Sequence, residues 1–295
     1  MRATALEFRL RMLILVAIAA IGVWAPWVGP WDLGRRISSI EWLALQISRT
    51  GWVSFSVATP IVIVFGALLA AVGMVLRVWG AAYLGYSTVH HADMQAGAVM
   101  AAGPYRYVRN PLYLGGWFMF AAISLLVTPS GALFIMVFAI FFQLRLILGE
   151  EAFLDGQLGE PYREYLRAVP RLIPRLHPSL SPAAAQPHWL TAVLTEIMPI
   201  GTFVTLAIVS WWYDNELMLK AILISLVVSL VVRGLMKALI PTCVFLAAAP
   251  AAWGLFHLSP IRSMLIGLGA ALVARALMPR KQADQDAAPS RPPAA

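Results

Sequence analysis

The chain has one cysteine, Cys243, in 295 residues. That excludes an intramolecular disulfide and any metal site built on several cysteines, so no metal is expected. A lone cysteine in an apolar stretch reads as a small buried side chain. Charge is scarce too. Asp, Glu, Lys and Arg together make up 12% of the residues, about half the share of a soluble domain. The glycine-rich strand-to-helix turn of a soluble Rossmann fold is missing, and no internal repeat stands out. What remains is 60% hydrophobic, in apolar runs long enough to cross a bilayer, each span needing roughly 20 residues. The class is an all-α, polytopic membrane helix bundle.

The apolar runs predict about eight transmembrane helices, near 12–28, 53–76, 112–127, 131–148, 190–211, 217–232, 239–256 and 262–278. Arginines precede the first run, and Trp24, Pro26 and Trp27 follow it in place of a small-residue cleavage site. It therefore reads as a retained helix. With the N-terminus inside, the outer side holds Arg35, Arg36, Arg49, Lys220 and Arg262, and the other 17 of the 22 basic residues fall inside. That asymmetry predicts both termini in the cytoplasm of an integral membrane protein, most simply in a bacterial inner membrane. The net charge of +8 then belongs to the membrane surface and not to nucleic acid. The Pro- and Ala-rich stretch 177–188 reads as a linker. It separates residues 1–176, which carry the polar clusters, from four further apolar helices over 189–278. The tail, 279–295, has a disordered composition. Glu196, Arg233, Lys237 and Arg275 fall near predicted helix ends and read as interfacial anchors.

Two polar segments break the apolar pattern: GPYRYVRNPLYLGG at 103–116 and EEAFLDGQLGEPYREYLRAVPRLIPRL at 150–176. The link VTPSG at 127–131 is short, so the helices on either side form a hairpin and bring both segments to the cytoplasmic membrane surface. Arg106 and Arg109 are fixed cations that fork onto a carboxylate or phosphate. Glu150 and Glu151 can hold an ammonium or a ribose diol, and being adjacent they face different ways on a helix. Tyr105, Tyr107 and Tyr113 offer ring faces and hydroxyls. Taken singly, these arginines and tyrosines also fit membrane anchoring; together they match a ligand with a carboxylate, an ammonium, a ribose, an aromatic base and a cationic centre. S-adenosylmethionine has all five.

The first segment resembles the G-x-Y-x-x-x-R-H-P-x-Y-x-G motif of the isoprenylcysteine carboxyl methyltransferases and the related phospholipid N-methyltransferases. The second is similar to that family's Glu-Glu, Leu, Gly, Tyr-x-x-Tyr and Val-Pro pattern, and LRVWGAAYLG, 76–85, resembles the helix end before them. The core motifs lie within 76–175. The resemblance implies an integral membrane, S-adenosylmethionine-dependent methyltransferase acting on a lipophilic acceptor drawn from the bilayer, a carboxylate, thiol or amine. It implies cofactor contacts from His90, Val99, Met100, Tyr105, Arg106, Asn110, Pro111, Leu112, Tyr113, Glu150 and Glu151. Arg109, Glu150 and Glu151 become the catalytic candidates, and Arg145, beside the family's substrate-side arginine position, the substrate candidate.

There are departures. Asn110 stands where the family has histidine, and asparagine keeps a donor and an acceptor but cannot become a cation. The competing readings are an NADPH-dependent membrane sterol- or isoprenoid-type reductase, which has a similar Arg-His-Pro-x-Tyr segment, and a non-catalytic lipid-binding or transport protein. Arg171 is placed outside the core of the constellation, where its replacement is expected to be mild. Membrane lipids are the expected partners, and the sequence carries no signal of oligomeric state.

Overall fold

The computed structural model describes residues 2–24, 37–90, 102–181 and 185–237, with scattered positions between 263 and 273. The helix predicted over 239–256, most of that over 262–278, the tail and Cys243 lie outside the described residues. Among the described residues all regular structure is helical: α1 (Ala5–Arg9), α2 (Arg11–Trp24), α3 (Ser39–Arg49), α4 (Phe55–His90), α5 (Pro111–Ser124), α6 (Pro129–Leu158), α7 (Glu160–Ala168), α8 (Trp189–Thr195), α9 (Ile197–Ala207) and α10 (Asn215–Lys237). Short 3-10 turns cover Gly103–Arg106 and Val209–Trp212.

Among the described residues three helices are long and apolar enough to cross a membrane: Phe55–Leu84 within α4, Pro129–Leu158, and Asn215–Val232 within α10. Trp189–Thr195 with Ile197–Trp212 makes a fourth only as a pair bent by 69°. α2 and α5 are apolar, but each has 14 residues, short of the roughly 20 that a straight span needs. The expectation of about eight spans therefore becomes three or four among the described residues. Local chemistry sets these limits. Pro111 opens α5 at its first position, where a missing N–H costs nothing. Thr128 caps α6 by accepting from the Gly131 N–H at 3.3 Å, with Pro129 next. The predicted helix over 190–211 breaks at Glu196 because Pro199 cannot donate to the Thr195 carbonyl and its ring crowds that oxygen.

Chain direction alternates through the bundle. The Ala3 N–H bonds the Arg145 carbonyl, Pro111 packs by Gly80, and the His188 N–H bonds the Ala82 carbonyl, so the starts of α2, α5 and α8 share one end with the far portions of α4 and α6. At the other end the Ser39 and Ile40 N–H groups bond the carbonyls of Val127 and Leu125. α3, which is not among the predicted apolar spans, starts there. Ser38 and Glu41 form its capping box, with the Ser38 N–H donating to Glu41 Oε2 at 2.7 Å.

α4 shows how the bundle divides lipid from protein. Val57, Ile61, Val64, Phe65, Leu68, Val72 and Val75 form an exposed stripe, while Ala58, Val62 and Ala70 are buried. Small residues on the packed face let backbones approach closely. At the crossing of α4 and α5, a Cβ on Gly73 would lie 2.8 Å from the Gly115 carbonyl oxygen, and one on Gly115 the same distance from that of Gly73, so neither position admits a side chain. One apolar core joins Ile40 and Ala44 of α3, Ala58, Val62 and Ile63 of α4, Ala122 of α5, Leu206 of α9, and Met218 and Ile222 of α10.

The break between α8 and α9 is held by an ion pair. Glu196, fully buried, accepts from Arg77 Nε at 2.6 Å and Nη2 at 3.1 Å. This corrects its reading as an interfacial anchor. Breaking such a pair leaves an uncompensated buried charge, whereas an apolar replacement of both partners is often tolerated. Arg77→Leu and Glu196→Leu should therefore each cost about 3 kcal/mol or more of stability, and the double substitution should recover most of it. Thermal unfolding in detergent measures this, and single substitutions within about 0.5 kcal/mol of the parent would mean the pair does not hold the break.

Candidate functional site

Residues 103–110 form a compact loop on the last apolar turns of α4. Gly103 has φ +52°, a left-handed conformation that glycine adopts without strain, and a Cβ there would collide with the Tyr83 ring. The loop folds over so that the Tyr105 hydroxyl reaches the Gly80 carbonyl at 3.4 Å and the Tyr107 ring sits 5.9 Å from that of Trp79. Tyr165 of α7 donates to the Tyr105 carbonyl at 2.9 Å. Burial, with Tyr165 next, pushes the Tyr105 hydroxyl well above the usual tyrosine range. Burial does the same for Tyr162 and Tyr165. All three are neutral phenols and do not act as bases.

Residues 170–180 are laced to this loop. The Arg109 N–H bonds the Pro170 carbonyl at 2.8 Å, the Arg175 N–H the Tyr107 carbonyl at 3.1 Å, and the Ser179 N–H the Arg106 carbonyl at 2.8 Å. Arg106 Nε donates to the Leu180 carbonyl at 2.7 Å. Arg106 is thus committed to fastening this strap.

The hairpin of α5 and α6 brings the two polar segments together. Tyr113 donates to Glu150 Oε2 at 3.0 Å. Glu151 Oε1 receives Asn110 Nδ2 at 3.3 Å and Arg109 Nη1 at 3.2 Å. Its Oε2 receives Arg171 at 2.9 Å from Nε and 2.7 Å from Nη2. The neighbouring glutamates point apart, as helix geometry requires: one toward Tyr113 and the charge of Arg11 on α2, the other into two arginines. The Glu151 hydrogen bond holds Arg171 above the usual guanidinium range. Arg171 therefore belongs to the cluster, against its placement outside it. Arg109 Nε is buried and makes no hydrogen bond among the described residues.

Arg77 closes the site from the other side. Besides gripping Glu196, it donates from Nη1 to the Leu112 carbonyl at 3.2 Å. Its Cγ passes where Gly115 has no side chain; a Cβ there would lie 2.7 Å from it. Leu112 itself packs on Gly80 and lies in one apolar cluster with Ala81, Ala82 and Ala192. Arg145 sits apart from the glutamate pair and meets Glu7 at 2.8 and 2.9 Å. Val99 and Met100 lie outside the described residues, as does the side chain of His90, whose backbone ends α4. No group of three or more His, Cys, Asp and Glu able to hold a metal is found among the described residues.

The sequence reading missed Arg11, Arg77, Arg171 and Glu196. Arg171 had a local signal, since it follows the Val-Pro that ends the second motif. Arg77 falls in the motif LRVWGAAYLG, but nothing in the sequence pairs it with Glu196, 119 residues away.

Residues 61–160 match the family model of the phospholipid methyltransferases. The matched stretch holds most of α4, the loop, α5 and α6, and it stops before Arg171 and Glu196. No curated protein and no solved structure matches the chain.

The doubly shared Glu151 sets an order of damage. Arg171 is 43% exposed and Arg109 12%. Arg171→Ala should cost up to about 1 kcal/mol, because Arg109 still holds the carboxylate. Arg109→Ala should cost about 3 kcal/mol. Unfolding midpoints in denaturant give both values, and the reverse order would show that Arg171 is the main partner.

Proposed function

We propose that this membrane protein, matched over residues 61–160 to the phospholipid methyltransferase family, is an S-adenosylmethionine-dependent methyltransferase for a lipophilic acceptor. The observation that carries the cofactor is the buried Nε of Arg109, without a hydrogen-bond partner among the described residues, at the cluster that also holds Glu150. An orphaned buried donor on a guanidinium is costly unless an anion meets it, and the cofactor's carboxylate is such an anion. Glu150 is the better partner for the cofactor's ammonium. Its hydrogen bond comes from a neutral tyrosine, whereas Glu151 is already shared by two arginines.

In this reading Glu151 is a positioning residue that keeps Arg109 and Arg171 in place. Asn110, Pro111, Leu112 and Tyr113 line the cofactor space, and Tyr105 forms its buried floor. The cofactor supplies an activated methyl group on a sulfonium. Since positive charge is lost in the transfer, the protein's part is orientation and exclusion of water rather than acid catalysis. A carboxylate or thiolate acceptor needs no base; an amine would need one. Arg145 remains the candidate for an acceptor's anionic group, which would replace Glu7 there. The site end is assigned to the cytoplasm on the positive-inside asymmetry.

Calorimetry in nanodiscs tests this. S-adenosylmethionine should bind saturably and its demethylated product should compete. Glu150→Gln should weaken cofactor binding by about 1.5–3 kcal/mol, the scale of a charge-assisted hydrogen bond. Glu151→Gln should act mainly on stability. Tighter binding of NADPH than of S-adenosylmethionine would replace this reading with the reductase.

A further inference from the structure

The strap 170–180 fastens the site loop, yet it turns two large aliphatic side chains outward. Ile173 is 83% exposed and Leu176 94%. Ile173 sits between Arg171 and Arg175 and Leu176 directly follows Arg175, in the run RLIPRLH, and both arginines are exposed. Arg175 reaches the Ser179 hydroxyl at 3.3 Å and has no carboxylate partner among the described residues.

The height of the strap can be read from its bonds. It is tied to Arg106, Tyr107, Arg109 and Asn110. That loop in turn rests on α4, through the bond from Tyr105 to the Gly80 carbonyl and the packing of Pro111 on Gly80. Gly80 lies in the last turns of the apolar stretch Phe55–Leu84. The strap is therefore level with the end of that apolar stretch. Immediately beyond it α8 begins, also at this level through the bond from His188 to Ala82, with Trp189 and Leu190 exposed. Exposed aliphatic side chains beside arginines at this depth have the chemistry of an interfacial anchor: apolar atoms enter the acyl boundary and guanidinium groups meet lipid phosphate.

We propose that residues 171–177 form a membrane-surface anchor in which Ile173 and Leu176 enter the leaflet at the site end and Arg175 engages anionic lipid headgroups. The partner is the lipid surface itself. Through the Tyr107 and Arg109 carbonyl and amide bonds, the anchor fixes the site loop at the boundary where a lipophilic acceptor and a water-soluble cofactor meet. The anchoring itself does not rest on the methyltransferase reading.

The test uses the full chain in vesicles, with Cys243 replaced by alanine and an environment-sensitive fluorophore on Ile173→Cys or Leu176→Cys. Gln157→Cys, an exposed position in the polar last turn of α6, serves as the water-facing control. Labels at 173 and 176 should be quenched by lipids carrying a nitroxide near the headgroup, and should be quenched by aqueous iodide several-fold less than the label at 157. Adding phosphatidylglycerol to phosphatidylcholine vesicles should deepen the protection, and Arg175→Ser should remove that dependence while leaving cofactor affinity unchanged. Iodide quenching equal to that at 157 would show a solvated strap and overturn the proposal. Protection from both quenchers would overturn it too, by showing that protein, not lipid, covers these side chains.

Discussion

The bundle turns on the guanidinium of Arg77. A carboxylate taken wholly out of water inside a membrane protein is costly unless paired and hydrogen-bonded. Glu196 meets both conditions through a two-pronged contact with Nε and Nη2. The third prong, Nη1, goes to the Leu112 carbonyl at the start of α5. One side chain on α4 therefore fixes the break between α8 and α9 and the first turn of the helix that carries Tyr113. Its path requires Gly115, because any larger residue would occupy the space of the Arg77 stem. The C-terminal helices and the candidate site share this constraint even though they are separated by a linker in sequence.

Around that node the charges are divided by depth and by partner. Glu151 is held by Arg109 and Arg171, Glu196 by Arg77, and Glu7 by Arg145. Glu150 differs in taking its hydrogen bond from a neutral hydroxyl, with Arg11 acting on it electrostatically. Among the described residues, Glu151 and Glu196 take arginine donors, Glu150 takes a phenol hydroxyl, and Arg109 Nε is buried without a hydrogen bond.

Much of the architecture was legible. The short VTPSG link implied the hairpin, and the hairpin implied that residues 105–113 and 150–151 meet, as their hydrogen bonds show. Adjacent glutamates had to diverge by helix geometry, and they do. What could not be read has physical causes. Arg77 and Glu196 each lie near the end of an apolar run, where the ordinary fate of a charge is the interface, and only tertiary packing makes them partners. The break at Glu196 was signalled by Pro199, but an apolar window 22 residues long masks one proline. α3 was announced by the Ser38–Glu41 capping box, overlooked because Arg35, Arg36 and Arg49 mark that region as an outer connection.

Short helices at the site end follow from the same economy of polar groups. α5 starts at Pro111 only because the chain before it stays extended or turned, and those turns expose carbonyls and amides that hydrocarbon cannot satisfy. The strap satisfies three of them directly, at Arg106, Tyr107 and Arg109, and the side chains of Arg106 and Asn110 return the favour to Leu180 and Arg171. Irregular backbone at the membrane edge is tolerable where protein backbone caps it in this way. The site loop thus owes its shape to a segment outside the matched family stretch, just as the first turn of α5 owes its position to Glu196. A transplanted stretch of residues 61–160 alone would keep Tyr113 and Glu150 but lose both supports, so the site is a property of the whole helical assembly and not of its motifs.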